Sequence, residues 1–207
     1  MARGHGERTV QIARILRDNL KAATATKRYG DVQVRYDHGD SSDFDVCQPT
    51  SYMGRRYGTD ATLSGVDIVL LKNKQVFLAI EVEESSVRPK LVLGDVFGVL
   101  LAKRLQIQGN SYPINDAVLI VAVTGGILGR QIEKYRRLER LLAKFLADAH
   151  TSANRPNIRK VRILVCSPDD LVRRVERLAR LEVGKSLKIV GTPASRSRVP
   201  GQTLRLG

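Results

Sequence analysis

Tryptophan is absent from this chain, and aromatic residues of all kinds make up only 5% of its 207 residues. The core must therefore be aliphatic, and with 43% apolar residues, mostly Leu, Ile, Val and Ala, there is material for one. Cysteine is also scarce. Cys47 and Cys166 alone give neither a disulfide framework nor the spacing of a zinc site. Cys166 closes the run Val161-Arg162-Ile163-Leu164-Val165-Cys166, which reads as a buried strand, so a reduced core thiol is expected there. No apolar run approaches membrane-spanning length, no basic helix carries a bulky aromatic anchor, and residues 1–7 lack the apolar stretch of a signal peptide. The expectation is a cytoplasmic protein that does not engage a membrane.

Positive charge is what the chain has in excess. Lys and Arg total 35 against 21 Asp and Glu, a formal net charge of +14 and a pI near 10.2. A field of that size concentrates polyanions, and nucleic acid is the expected partner. The arginines and lysines at positions 130, 134, 136, 137, 140 and 144, and the arginines at 173, 174, 177 and 180, crowd two helices. Interleaved Glu133, Glu139 and Glu176 pair with some of them at helical spacing, leaving others to meet phosphates. Arg28, Arg55 and Arg56 are similar candidates in loops.

The pattern alternates between helices and strands. Residues 7–20 read as a helix with Val10, Ala13, Leu16 and Leu20 at helical spacing. Residues 32–36 alternate as a short strand, and 37–64 form a long polar connection. Residues 66–83 predict a hairpin, whose two runs, 67–71 and 76–83, are apolar on both faces and belong in the middle of a covered sheet. A helix is expected over 90–106, a buried strand over 117–123, and an amphipathic helix over 130–149 with Ile132, Tyr135, Leu138, Leu142 and Phe145 as its stripe. A strand follows over 159–166, then a helix to about Glu182 with Ser167 as cap and Pro168 at its first position. The order predicts an α/β domain over residues 1–190 with a mixed central sheet flanked by helices on both faces, and a flexible basic tail over 191–207.

Side chains alternate along a strand, so Glu81 and Glu83 point to one face, with Phe77 and Ala79, while Val76, Leu78, Ile80 and Val82 take the other. A three-residue turn at 73–75 sets Lys72 opposite Val76 and Asp67 opposite Glu81. A two-residue turn would set Asp67 opposite Ile80 and split the carboxylates across the sheet. The first register is the expectation. It gathers acids within an apolar sheet, where an unpaired ionised carboxylate costs several kcal/mol. Either Arg or Lys from neighbouring helices offsets that cost, or a hard divalent cation with oxygen ligands does.

Other clusters carry less. Asp37, Asp40, Asp43 and Asp45 lack the glycine and closing Glu of a calcium loop and read as a solvated acidic loop. The stretch Thr124-Gly125-Gly126 lacks the features of a nucleotide loop, so no nucleotide cofactor is expected. His5, His38 and His150 are scattered, and His5 is the one near Glu7.

The segments Asp67-Ile68-Val69-Leu70-Leu71-Lys72-Asn73 and Leu78-Ala79-Ile80-Glu81-Val82-Glu83 resemble the core motif of the PD-(D/E)xK nuclease superfamily. Glu7-Arg8 and Leu16-Arg17-Asp18 on the first helix add a resemblance to its archaeal Holliday-junction resolvases. The likeness spans roughly residues 4–123. It implies a restriction-endonuclease-like fold and a Mg²⁺- or Mn²⁺-dependent endonuclease, of junction-resolving, restriction or repair type, acting as a homodimer on branched or duplex DNA. It implies metal ligation by Asp67 and Glu81, support from Glu7, and a loop serine, for which Ser41 and Ser42 are positional matches. Arg8 is expected at the nucleic acid. Where the family carries a lysine, this chain has Glu83, and Lys90 or Arg88 from the next helix could reach back in its place. A module that binds nucleic acid on the same fold without cutting it is the alternative.

Overall fold

The computed structural model describes residues 6–25, 32–84, 89–124, 129–149 and 156–190. In chain order these form α1 (Glu7–Ala25), β1 (Gln33–Tyr36), β2 (Thr50–Tyr52), a 3-10 turn at Thr59–Ala61, β3 (Thr62–Gly65), β4 (Ile68–Lys72) and β5 (Gln75–Glu83). Then follow α2 (Pro89–Leu100), β6 (Arg104–Ile107), β7 (Asn110–Val123), α3 (Gly129–Ala149), β8 (Ile158–Val165) and α4 (Leu171–Val190). The eight described strands make one mixed sheet in the order β1-β4-β5-β7-β6-β2-β3, with β8 also paired to β7. The long β7 joins its two parts: its C-terminal half runs parallel between β5 and β8, and its N-terminal end pairs antiparallel with β6.

Two aliphatic layers sandwich this sheet. On one face Val92, Val96 and Val99 of α2 and Tyr135, Leu142 and Leu146 of α3 meet Val69, Ala79, Leu119 and Val121. On the other, Ile12, Leu16 and Leu20 of α1 and Leu171, Val175, Ala179 and Val183 of α4 meet Ile68, Leu78, Ile80 and Ile120. Burial on both sides is why the central strands read as continuous apolar runs. Among the described residues no helix is long and apolar enough to cross a membrane.

The β4–β5 hairpin corrects the expected turn and preserves its consequence. Lys72 pairs with Gln75 across a two-residue turn at Asn73 and Lys74, whose φ values of 51° and 58° match the right-handed twist of the strands. That turn by itself would have set Asp67 opposite Ile80. Between Leu71↔Val76 and Leu70↔Leu78, however, β5 carries one extra residue, Phe77. The bulge shifts the ladder so that Ile68 faces Ile80, and Asp67 comes level with Glu81. It also exchanges the faces of two side chains. Val76 packs with Ala79, and Phe77 lies against the layer of Leu78 and Ile80, the reverse of the simple alternation.

Other boundaries differ for local reasons. The helix expected over 90–106 stops at Leu100, and Arg104–Ile107 is a strand whose Leu105 and Ile107 face the core. It turns at Gln108-Gly109, both at positive φ, into β7, which begins seven residues earlier than expected because its first half is mostly polar and half-exposed. The connection 37–64 contains β2 and β3, too short and too polar to show a period. On α3 the stripe shifts by one residue: Leu146 is buried and Phe145 is 50% exposed. Ser167 caps a turn rather than the helix itself, donating to and accepting from Asp170, and α4 begins at Leu171. Cys166 lies just past β8 and is half-buried, with burial raising its thiol pKa. Residues 191–207 lie outside the described residues.

The acidic loop after β1 is not simply solvated. Asp43 accepts hydrogen bonds from Arg17 on α1 at 2.7 Å and from Tyr36, and Asp45 bonds Arg17 and Arg35. These pairs fasten residues 43–45 against α1 and β1. The Arg17 bond holds the Asp43 carboxyl down to about 2. A depressed carboxyl pKa contributes stability above its unfolded value near 4 that disappears as pH falls through about 2. Asp43→Asn is therefore expected to cost about 1 kcal/mol at pH 7, a partly exposed charge pair, with the difference from the parent closing near pH 2. Thermal melts across that range check it.

Candidate active site

Three strand ends meet where the sheet is parallel. β5 ends at Glu83, paired with Val123 of β7, and Val123 pairs with Val165 of β8. The carboxyl ends of parallel strands in open α/β sheets are where ligands are generally received. Beside them β4 starts and β1 ends, so Asp67 is carried to the same rim. The Asp37 N–H donates to the Asp67 carbonyl at 2.8 Å, which extends the β1–β4 ladder one step beyond Tyr36↔Ile68.

Asp67 and Glu81 clasp each other through the backbone. The Asp67 N–H donates to Glu81 Oε2 at 3.3 Å, and the Val82 N–H donates to Asp67 Oδ2 at 2.7 Å. Glu81 is 7% exposed, and its other oxygen, Oε1, is buried with no hydrogen-bond partner among the described residues. Burial first, then the charges of Asp67, Asp95 and Glu83, raise its carboxyl well above the ordinary range, and the bond from the Asp67 N–H offsets only part of this. The charges acting most strongly on Glu81 are thus all carboxylates.

Asp95 is the member that sequence reading missed. It lies on α2, half-buried among valines, and burial with the charges of Glu83 and Asp67 pushes its carboxyl up to about 6. The one available signal was an acid within the otherwise apolar helix 89–100. The approach of that helix to the sheet depends on Gly98, where a Cβ would lie 2.4 Å from Ser64 Oγ. Tyr135 of α3 also faces this region: burial, then Glu83, raises its phenol pKa, and among the described residues its buried hydroxyl has no partner, nor does that of Thr124 after β7. Orphaned buried oxygens of this kind ordinarily have a partner in a protein's working state.

The remaining expected residues are dispersed. Glu7 is exposed and lines a shallow groove along α1 with Gln11, Arg14 and Asp18, and it is not among the charges that dominate at Glu81. Arg8 forms a 3.2 Å ion pair with Glu84, tying the start of α1 to the end of β5. Lys90 is exposed in the first turn of α2. Ser41 and Ser42 are exposed in the loop after β1, where the Ser42 N–H donates to Asp40. Arg55 and Arg56 are exposed between β2 and β3, beside the half-exposed Tyr57, whose ring stacks edge-on against Tyr52. Arg28 and Arg88 lie outside the described residues, as do His5, His150 and the glycines 125 and 126. His38 lies close to the acids: its Nε2 is 4.0 Å from Asp67 Oδ1 and 3.8 Å from Asp37 Oδ2.

The protein is thus a mixed α/β fold whose central sheet presents a partly buried carboxylate cluster at its rim. No protein-family model matches the chain, and no curated protein or solved structure is significantly similar to it.

The donors suit a divalent cation in number and kind. Asp67 and Glu81 supply two hard oxygen ligands, as many as Mg²⁺ commonly takes from protein, and Glu81 Oε1 lacks any other partner. Among the described residues, three such side chains do not already converge on one point. An ion there would complete its shell with water and phosphate oxygens.

Without a cation, Glu81 and Asp95 bind protons more tightly in the folded chain than in the unfolded one. Their contribution is fully present below about pH 4 and is lost as pH rises, through about 6 for Asp95 and through the raised range of the Glu81 carboxyl. Glu81→Gln removes the Glu81 share. In EDTA it is expected to melt several degrees above the parent at pH 8, with the gap narrowing towards pH 4. Equal melting temperatures at pH 8 would show that Glu81 carries no electrostatic burden.

Proposed function

We propose that this chain is a divalent-cation-dependent endonuclease that hydrolyses phosphodiester bonds in DNA. The observation that carries the reading is the Asp67–Glu81 pair: two acids from adjacent strands, one of them buried with an oxygen that has no hydrogen-bond partner among the described residues, and with Asp95 and Glu83 adding to the charge that acts on it. The resemblance of residues 67–83 to the PD-(D/E)xK motif and the net charge of +14 supply its other supports.

Asp67 and Glu81 would hold the cation. The chemistry such a cation supplies is neutralisation of charge at the phosphate and acidification of water. Glu83, at the position of the family's lysine, would accept a hydrogen bond from the attacking water and orient it. A carboxylate there cannot provide the positive charge a lysine would, so the burden of charge stabilisation falls on the cation. Arg55 and Arg56 stand exposed to contact phosphates. Hydrolysis in this manner leaves a 5′-phosphate, and cutting both strands of a duplex calls for two copies of the site, hence a homodimer. Junction-resolving, restriction and repair substrates all fit this chemistry.

Glu83 in place of lysine favours a second reading, a module that binds nucleic acid without cutting it. One experiment separates them. Purified protein is incubated with linear duplex and four-way-junction DNA in Mg²⁺ or Mn²⁺, beside Asp67→Asn and an EDTA control. The nuclease reading expects cleavage by the parent, a loss of a hundredfold or more in the variant, and none in EDTA. Equal cleavage by parent and variant would remove Asp67 from the mechanism, and salt-sensitive binding without cleavage would select the binding module.

A further inference from the structure

The sheet extends beyond the helices on one of its faces. The layer of α1 and α4 packs on β1, β4, β5, β7 and β8, and it includes no residue of β2, β3 or β6. The cross-strand partners Ser51 and Leu105 turn towards α2, where the Ser51 hydroxyl donates to the Gly98 carbonyl and Leu105 joins the core. Side chains alternate along a strand, so Tyr52 and Arg104, the next pair, stand on the other face. Both hydrogen-bond the hydroxyl of Ser111 on the first part of β7.

Tyr57 lies over this pair. Its ring meets that of Tyr52 edge-on, with centroids 5.5 Å apart and planes at 83°. Tyr52 is buried, whereas Tyr57 is 50% exposed. A ring set edge-on against another covers at most one of its faces, so Tyr57 keeps a flat side that Tyr52 does not cover. The connection that carries it is framed by hydrogen bonds. The Met53 N–H donates to Ala61, the Thr62 hydroxyl to Gly58 and the Lys103 N–H to Tyr52, each at 3.0 Å. Charge here is of one sign. Over residues 50–65 and 101–113 the cations are Arg55, Arg56, Lys103 and Arg104, and the one acid is Asp60. Arg55, Arg56 and Lys103 are exposed, and Arg104 donates to the Ser111 hydroxyl and carbonyl rather than to an acid.

We infer that the face formed by β2, β3 and β6 binds an unpaired stretch of DNA, with Tyr57 stacked on a base and Arg55 and Arg56 on the flanking phosphates. An aromatic ring on an open sheet face among cations suits a strand whose base faces are free, because the ring takes a base and the cations take the backbone. In a duplex those base faces are already stacked on one another. The inference rests on the nucleic-acid part of the reading above and not on its metal. Among the substrates named there, it selects DNA that carries unpaired segments.

Fluorescence anisotropy of a labelled oligothymidylate, alone and paired with its complement, in EDTA over a range of salt tests it. The parent is expected to bind the single strand about tenfold or more tighter than the duplex. Tyr57→Ala is expected to lose about fivefold or more in single-strand affinity, the worth of one stacked base, and Tyr57→Phe to stay within about twofold of the parent. Replacing both arginines, Arg55→Gln with Arg56→Gln, is expected to reduce the slope of log affinity against log salt by about 1.4, two phosphates' worth on a single strand. Phe145→Ala removes an equally exposed ring from α3 and is expected to change affinity less than about twofold. The chain has no tryptophan, so Tyr57→Trp supplies a single indole, whose emission is expected to be quenched by the oligonucleotide. Unchanged affinity in Tyr57→Ala with unquenched emission in Tyr57→Trp would overturn the inference and leave DNA to other surfaces. Equal or tighter binding of the duplex by the parent would also sink it. Absence of binding to either DNA at low salt would remove the nucleic-acid reading itself and leave the metal site untouched.

Discussion

A carboxylate buried beside other carboxylates is the constraint around which this structure is organised. Glu81 sits on the central strand β5 with one oxygen satisfied by the Asp67 N–H and the other by nothing among the described residues, while Asp67, Asp95 and Glu83 all add to its difficulty. Leaving such a charge uncompensated costs several kcal/mol, of the same order as the whole stability of a domain. Under the proposed nuclease reading, a small cation held by Asp67 and Glu81 would relieve this burden.

The surrounding architecture holds the cluster at a defined place. The bulge at Phe77 sets Asp67 level with Glu81. The Asp37–Asp67 backbone bond carries β1 to the same rim, and Gly98 lets α2 come close enough to the sheet to add Asp95. Two thick aliphatic layers, one on each face, keep the strands from shifting, because a one-residue slip would throw every core side chain into the opposite layer. Rigid strands therefore carry Glu81 and Glu83, while His38 sits on a loop made stiff by ion pairs to α1 and β1.

Charge is distributed in two opposed ways. The chain as a whole is strongly positive, and exposed Arg55, Arg56 and Lys90 contribute to that field, whereas the rim of the sheet is locally negative. A polyanion drawn by the first would meet repulsion at the second unless a cation stood between them. The proposed nuclease reading would reconcile the two features by placing a cation between the acids and a phosphate. Some of the positive charge is internally matched: on α3 Arg136 and Arg140 pair with Glu133, on α4 Arg180 pairs with Glu176, and Arg162 of β8 pairs with Glu139 of α3.

Local pattern by itself determined the aliphatic core, the order of the long helices and the covered central strands, because burial on both faces writes an unmistakable apolar run into residues 68–71 and 76–82. It also singled out Asp67, Glu81 and Glu83, since acids are conspicuous in such runs. What it did not contain was the hairpin's true path. A two-residue turn and a bulge at Phe77 produce the same pairing of Asp67 with Glu81 as a three-residue turn without one, and only the cross-strand ladder distinguishes them. Short edge strands such as β2 and β3 left no period to read. Tertiary structure alone brought Asp95 and His38 to the acids, from 14 and 43 residues along the chain from Glu81. Their proximity comes from helix docking and loop anchoring, which depend on contacts between distant segments and leave no trace in local spacing.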